Sequence, residues 1–319
     1  VANVSATQNR LAVLFPGQGS QEKGMGRALA ETSAEAAELW HLAEKASGLP
    51  LREIYWEGDE PAMADTRALQ PAMTAVTLGL WFTLKAKLSP LVGFAGHSLG
   101  EYAALAAAGM LDIPAVFELT SLRGRLMAEA DGGDGKMAAV LKLSLADIED
   151  VVRAAGEATG KMLVIANYNS PGQYVISGEA AAIEAANALI KERKGRAVPL
   201  AVSNAFHSPL MAAPAAELEK VLRKTGLRAP AAAPVFFNVT GAAEPNPAKG
   251  LVLMIRQMTS QVRWIDTLAA LWQGGARTFV ELGPKGVLTK LLAANLKDAG
   301  EPYTGLSIAD PAGAAVLEA

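Results

Sequence analysis

No cysteine occurs anywhere in the chain. Disulfides and thiolate metal sites are thereby excluded. Histidine is scarce too: only His41, His97 and His207 are present. They form no ligand cluster, and no metal site is expected. Charge of one sign is also missing. The net charge is −3 with 19% charged residues, which argues against general nucleic-acid binding but leaves room for a local basic patch facing an acidic partner. No apolar run reaches the length of a bilayer span, so no membrane segment is expected. The opening VANVSATQNR lacks the charged-then-apolar layout of a secretory signal, which makes a cytoplasmic location the default expectation. What is abundant is hydrophobic residues, at 51% of 319. They predict a sizeable core, in one large domain or two unequal ones.

Apolar periodicity orders the elements. Leu11–Phe15 reads as a buried strand that ends in the glycine-rich turn Pro16–Ser20. Helical spacing follows near 28–46 and 68–87. Leu91–Ala95 is a second short strand, and Tyr102–Ala108 is helical. Asp112 and Pro114 open a helix that runs to about Ala130. Gly132, Gly133 and Gly135 then mark a linker. Beyond it come strand Met137–Leu143, helix Leu145–Ala155, strands Met162–Asn167 and Gln173–Ser177, helix Ala180–Lys191 and strand Ala197–Val202. This βαββαβ order is ferredoxin-like. It predicts a small domain over 134–203, inserted into a larger α/β domain made of 1–133 and 204–319. The larger domain resumes with a helix from Pro209 and strands Val235–Val239 and Thr278–Leu282. The run after Ala299 reads as a tail.

Gly96-His97-Ser98-Leu99-Gly100 fits G-x-S-x-G between a predicted strand and a predicted helix. That context is what the chemistry needs. A tight turn holds the serine in a strained conformation, and small neighbours avoid clashes. The following helix aims its N-terminal amides at a developing oxyanion. The bland alternative is a turn whose serine merely caps the helix.

A serine hydroxyl needs a neighbouring base to become a useful nucleophile. His97 adjoins Ser98, so its side chain leaves the turn in another direction. His41 sits beside Trp40 on a helix and reads as a surface or packing residue. His207, in SNAFHSP, stands where the inserted segment returns to the large domain. It is the candidate base, against the alternative of a helix-start histidine without chemistry. No acidic residue is obviously placed as a third member, and a carbonyl suffices to fix the tautomer.

The helix after Asp112 carries the apolar stripe Val116, Leu119, Leu126 and Met127. Arg123 falls within that stripe, whereas Arg125 falls on the opposite side. An inward arginine keeps its charge and must meet an anion. The partner is either an internal carboxylate or a substrate carboxylate held by two parallel hydrogen bonds. The first glycine-rich loop, Phe15–Gln21, is not a phosphate loop. Glu22 occupies the third glycine position of a dinucleotide fingerprint, and no G-K-[ST] is present. A backbone donor to an oxyanion, or an ordinary tight turn, remains.

Six phrases occur in order: FPGQGSQ (15–21), GHSLGEY (96–102), LRGRLM (122–127), NYNSPGQYVISG (167–178), FHSPLM (206–211) and GPKGVL (283–288). Together they resemble the malonyl-CoA:acyl carrier protein transacylases and the related acyltransferase domains of polyketide and fatty-acid synthases, over about residues 10–295. The resemblance implies an α/β-hydrolase-like large domain with the ferredoxin-like one inserted. It implies Ser98 as nucleophile and His207 as base. The backbone amides of Gln18 and Leu99 become the oxyanion hole, and Arg123 the malonyl receptor beside Met127. Gln257 is implied as the residue whose carbonyl steadies the histidine. Asn167 and Asn238 are implied to line or brace the cleft. Phe206 resembles malonyl-selective members, since an aromatic ring there crowds an α-methyl group. One departure is Gln261, where the family often has proline before V-x-W.

The implied reaction is ping-pong transfer of malonyl from malonyl-CoA to the phosphopantetheine of holo acyl carrier protein, with no cofactor, in fatty-acid or polyketide synthesis. Carrier proteins of this kind are acidic, so Lys194 and Arg196 are the candidate docking residues, against a plain solvated surface. A free-standing monomer is expected. The rivals are a serine thioester hydrolase and a non-catalytic carrier-docking module.

Overall fold

A computed structural model describes residues 10–130, 134–202 and 204–317. Gly132, Gly133 and Ser203, at the two expected domain junctions, lie outside the described residues. The strands in chain order are β1 (Leu11–Phe15), β2 (Leu91–Gly96), β3 (Gly135–Leu141), β4 (Leu163–Ser170), β5 (Gln173–Glu179), β6 (Arg196–Pro199), β7 (Val235–Phe237), β8 (Ala242–Ala243), β9 (Thr278–Leu282) and β10 (Thr304–Ile308). They divide between two sheets.

The first sheet has the order β10-β9-β1-β2-β7-β8. It is parallel except for the short edge pair β7–β8. Its sequence signature is β1, LAVLF, which is buried at every position. An uninterrupted apolar strand of this kind is covered on both faces. Val13 and Phe15 face one core with residues of the helices Ala34–Ser47, Thr66–Leu84 and Ile113–Ala128. Ala12 and Leu14 face another with Leu268, Leu271, Leu288 and Leu292, from the helices Trp264–Gln273 and Val287–Asn295. Side chains that alternate along a strand therefore build a three-layer α/β/α unit.

The second sheet, β4-β5-β3-β6, is antiparallel throughout. This is the expected ferredoxin-like arrangement. Helices Leu145–Thr159 and Ala180–Glu192 cover one face through Ile148, Val151, Ala155, Ile183, Ala186 and Ile190. The other face gives Met137, Ala166 and Val175 to the core of the first unit.

Several elements differ from expectation. The stretch 28–46 is two helices, because Ser33 turns extended and its hydroxyl caps Ala36. The last strand of the second sheet stops at Pro199. The segment after Ala299 is not a tail. Residues 304–308 pair in parallel with β9 and extend the first sheet. Helices Pro247–Gln257 and Trp264–Gln273 were not expected from periodicity. Among the described residues no helix is long and apolar enough to cross a membrane.

Candidate active site

The site forms where parallel strands end. β2 stops at Gly96, and the helix Gly100–Ala107 begins four residues later. Between them Ser98 adopts φ 51°, a left-handed conformation rare for a non-glycine residue. The flanking glycines permit it. A Cβ on Gly96 would lie 1.9 Å from the Gly100 carbonyl carbon, and one on Gly100 would lie 2.0 Å from the Phe15 carbonyl oxygen. Asn238, just after β7, braces the turn. Its Oδ1 accepts from the Ser98 amide at 2.7 Å, and its Nδ2 donates to the Gly96 carbonyl at 2.6 Å.

His207 comes from the segment that returns from the second sheet, and it also takes a left-handed φ, 57°. Its Nε2 lies 2.7 Å from Ser98 Oγ. Its Nδ1 lies 3.1 Å from the carbonyl oxygens of both Gln257 and Ser260. Carbonyls only accept, so Nδ1 carries the proton and Nε2 is left to take one from serine. Burial, followed by the charge of Arg123, drives the His207 pKa down to about 3. The imidazole is therefore neutral in the folded chain at any ordinary pH. Between pH 6.5 and about 3 the unfolded chain binds a proton here that the folded chain refuses. Stability should fall as pH is lowered through that window. Melting temperatures of wild type and His207→Gln across pH 7 to 4 check this: the variant's curve should be flatter.

Arg123 is buried, as its place in the apolar stripe predicted, and Arg125 is exposed. Its described hydrogen-bond partners are all neutral. Nη1 donates to Gln70 Oε1 at 2.9 Å, and Nη2 donates to Gln257 Oε1 at 3.2 Å and to Ser98 Oγ at 3.0 Å. No carboxylate is among these described partners. The acid of the site is Glu101, which reaches the arginine only through Gln257. Glu101 Oε2 accepts from Gln257 Nε2 at 2.7 Å, and Oε1 accepts from the Asn238 amide at 3.1 Å.

The loop after β1 lies against the serine turn. A Cβ on Gly17 would fall 2.5 Å from the His97 carbonyl oxygen and 3.6 Å from the Leu99 amide nitrogen. Only glycine allows that approach, which seats the loop after β1 directly on the serine turn. The Gln18 side chain turns away to Thr66 Oγ1 at 3.3 Å.

Met127 is buried, with its sulfur 3.3 Å from Gln70 Nε2. Phe206 is buried beside the base, and its carbonyl accepts from Ser177 Oγ at 2.7 Å. Asn167 lies on β4 and is buried. It forms a parallel bridge to Val262, flanked by bonds from Tyr168 N to Val262 O and from Val262 N to Ala166 O. The segment around Gln261 is thus an added edge on β4. Asn169, which sequence reasoning passed over, holds His97: Nε2 lies 2.8 Å from Asn169 Oδ1. His97 does leave the turn in its own direction, toward the second sheet. His41 is exposed. Lys194 and Arg196 are exposed as well. Arg196 pairs with Leu141, at the opposite end of β3 from Gly135, where the chain passes close to Ala205. These two cations are therefore not brought beside the serine.

A serine hydroxyl 2.7 Å from a histidine nitrogen, with a buried arginine beside it on an α/β frame, is an arrangement that acyl transfer could use. Comparison with known proteins decides the family. A model of the acyl transferase domain matches residues 13–313. The chain belongs to the acyl transferase family. It is 36% identical over 305 residues to the malonyl CoA-acyl carrier protein transacylase of Bacillus subtilis, covering 95% of this chain and 94% of that one. An acyl carrier protein S-malonyltransferase from Vibrio cholerae superposes with a TM-score of 0.89 at 36% identity, covering 97% of this chain and all of that one. A malonyl-transacylase solved with its type II polyketide acyl carrier protein gives 0.90 at 32% identity, covering 97% and 99%. Within the acyl transferase family, Glu101, Gln70, Asn169 and Ser260 are the site residues that sequence reasoning missed here. Glu101 alone had a visible signal, as the one charged residue in a helix buried at every position.

Proposed function

We propose that this chain transfers malonyl from malonyl-CoA to the phosphopantetheine thiol of holo acyl carrier protein, in two half-reactions through a malonyl ester of Ser98. The carrying observation is Arg123: a buried guanidinium that donates to the nucleophile's own oxygen and whose other described hydrogen bonds go to neutral amides. An acyl chain that ends in a carboxylate supplies the anion such a group calls for.

In the first half-reaction the malonyl carboxylate pairs with Arg123, between Met127 and Phe206. Ser98 Oγ bonds to the thioester carbon while its proton passes to His207 Nε2. The oxyanion rests on the amides of Gln18 and Leu99. The carbon–sulfur bond then breaks, and coenzyme A leaves with the proton from His207. In the second, the pantetheine thiol gives its proton to His207 and its sulfur attacks the ester carbon. The carbon–oxygen bond breaks and Ser98 recovers its proton. Gln257 and Ser260 hold the imidazole throughout, and Asn238 holds the serine turn. Asn167 acts from the second sheet, as part of the edge that carries the segment 258–263.

The segment 134–203 serves as the smaller lobe, and 1–133 with 204–319 as the catalytic one. Arg196 lies on the same face of the second sheet as Met137 and Ser177, by register with Leu141. That placement supports Arg196, with Lys194 in the preceding turn, as the outer contact for an acidic carrier protein. The chain acts as a monomer in the cytoplasm.

Intact-mass measurement after mixing with malonyl-CoA, then with holo carrier protein, tests the reading. The expected result is a malonyl adduct on the peptide containing Ser98 that moves to the carrier. Loss of the adduct only to water would identify a hydrolase. No adduct at all would favour a docking module.

A further inference from the structure

Glu101 is a buried ionisable group that the reaction just described does not use. It is 1% exposed and sits one turn after Ser98. Its two oxygens hold the two residues that organise the site. Oε1 accepts from the backbone of Asn238, which caps the serine turn, and Oε2 accepts from the side chain of Gln257. The same Gln257 nitrogen donates to the Ser98 carbonyl at 2.9 Å, and the Gln257 oxygen accepts from Arg123.

An amide has one accepting end and one donating end, and both Glu101 oxygens face N–H donors as acceptors, while burial raises the pKa of this carboxyl to about 7. With Glu101 and the Ser98 carbonyl on one side, Gln257 turns its NH₂ toward both. Its oxygen is then forced toward Arg123. With the amide reversed, NH₂ would face guanidinium N–H, donor against donor, and the guanidinium would shift off its position beside Ser98 Oγ.

We propose that Glu101 is a positioning residue for acyl-group selectivity, fixing the orientation of the Gln257 amide and through it the place of Arg123 as carboxylate receptor. This rests on the malonyl reading above. The arrangement also keeps Glu101 one residue away from the arginine. A direct ion pair would occupy the guanidinium donors that an incoming carboxylate needs. An amide relay positions the cation while leaving its charge to the substrate.

Glu101→Gln is nearly isosteric but both donates and accepts, so it removes one of the two acceptors that orient the Gln257 NH₂, the Ser98 carbonyl being the other. Malonyl and acetyl half-reactions are to be measured separately as kcat and KM for Ser98 acylation. Losing one well-placed charge-assisted hydrogen bond predicts a roughly 10- to 100-fold fall in kcat/KM for malonyl-CoA. Acetyl-CoA has no carboxylate to place and should lose far less. A role as mere counter-charge would act the other way: removing it would leave the arginine more attractive to anions and lower KM for malonyl-CoA. That result overturns the proposal, as does an equal loss for both acyl groups.

Gln257→Met removes the relay while keeping the backbone carbonyl that holds His207. It should show the same selective loss, and the double variant should be no worse than either single one. Additive losses would mean that Glu101 does not act through Gln257. If Glu101→Gln yields no folded protein, Gln257→Met alone decides the matter by the malonyl-to-acetyl ratio. A wild-type chain that forms no malonyl-serine would refute the underlying reading instead, which keeps the two failures apart.

Discussion

His207→Ala should slow formation of the malonyl-serine by about 10⁴- to 10⁶-fold, and Ser98→Ala, which lacks the oxygen to be acylated, should form none. The reason is that the two groups form one unit. Ser98 Oγ and His207 Nε2 are 2.7 Å apart, and the serine has no other base within reach among its described hydrogen-bond partners. Once either is gone, the other has no reaction to assist. The orienting partners are two carbonyls rather than a carboxylate. A carbonyl fixes the tautomer without offering a full negative charge to the imidazolium that forms. Burial, followed by the charge of Arg123, lowers the resting pKa of His207 to about 3, and the two carbonyls offset this only in part. Rapid-quench acylation rates with malonyl-CoA measure the effect. A loss below about a hundredfold in His207→Ala would mean that another group takes the serine proton.

Much of this site was legible because its letters encode local backbone. G-x-S-x-G between a strand and a helix specifies the turn, and the contacts at Gly96 and Gly100 show why larger residues fail there. Arg123 was legible because a period of 3.6 puts it among Val116, Leu119 and Met127. The βαββαβ order was legible from alternating elements. Contacts between elements distant in sequence were not. Nothing local tells that Asn169 reaches His97 across 72 residues, or that Ser260 shares His207 with Gln257. Residues 304–308 escaped notice because an exposed edge strand carries no apolar run: only Ile308 of TGLSI is buried. The helix Pro247–Gln257 had a readable start in Asn246-Pro247, whose asparagine caps two amides, but Gly250 weakens the pattern. Lys194 and Arg196 were chosen for nearness to His207 along the chain. By the register of β6 on β3, Arg196 lies opposite Leu141 and Pro199 opposite Ala138.

Arg123→Ala should cut malonyl transfer by about three orders of magnitude, the effect of roughly 4 kcal/mol lost from a desolvated charge pair. Acetyl transfer should fall by about tenfold at most, because that acyl group has no carboxylate and loses only the Nη2 contact to Ser98 Oγ. The ratio of the two kcat/KM values is the measurement, since it cancels any general damage from opening space under the helix. Arg123→Lys sharpens the test. Lysine keeps the charge but not the planar fork that spans Gln70, Gln257 and the serine at once. A partial return of malonyl preference would separate charge from geometry: charge alone attracts the carboxylate, and the fork sets it at the angle from which Ser98 can attack. Equal losses for malonyl and acetyl in Arg123→Ala would leave the arginine as a structural tie among three helices and would remove the ground for reading the acyl group as carboxylated.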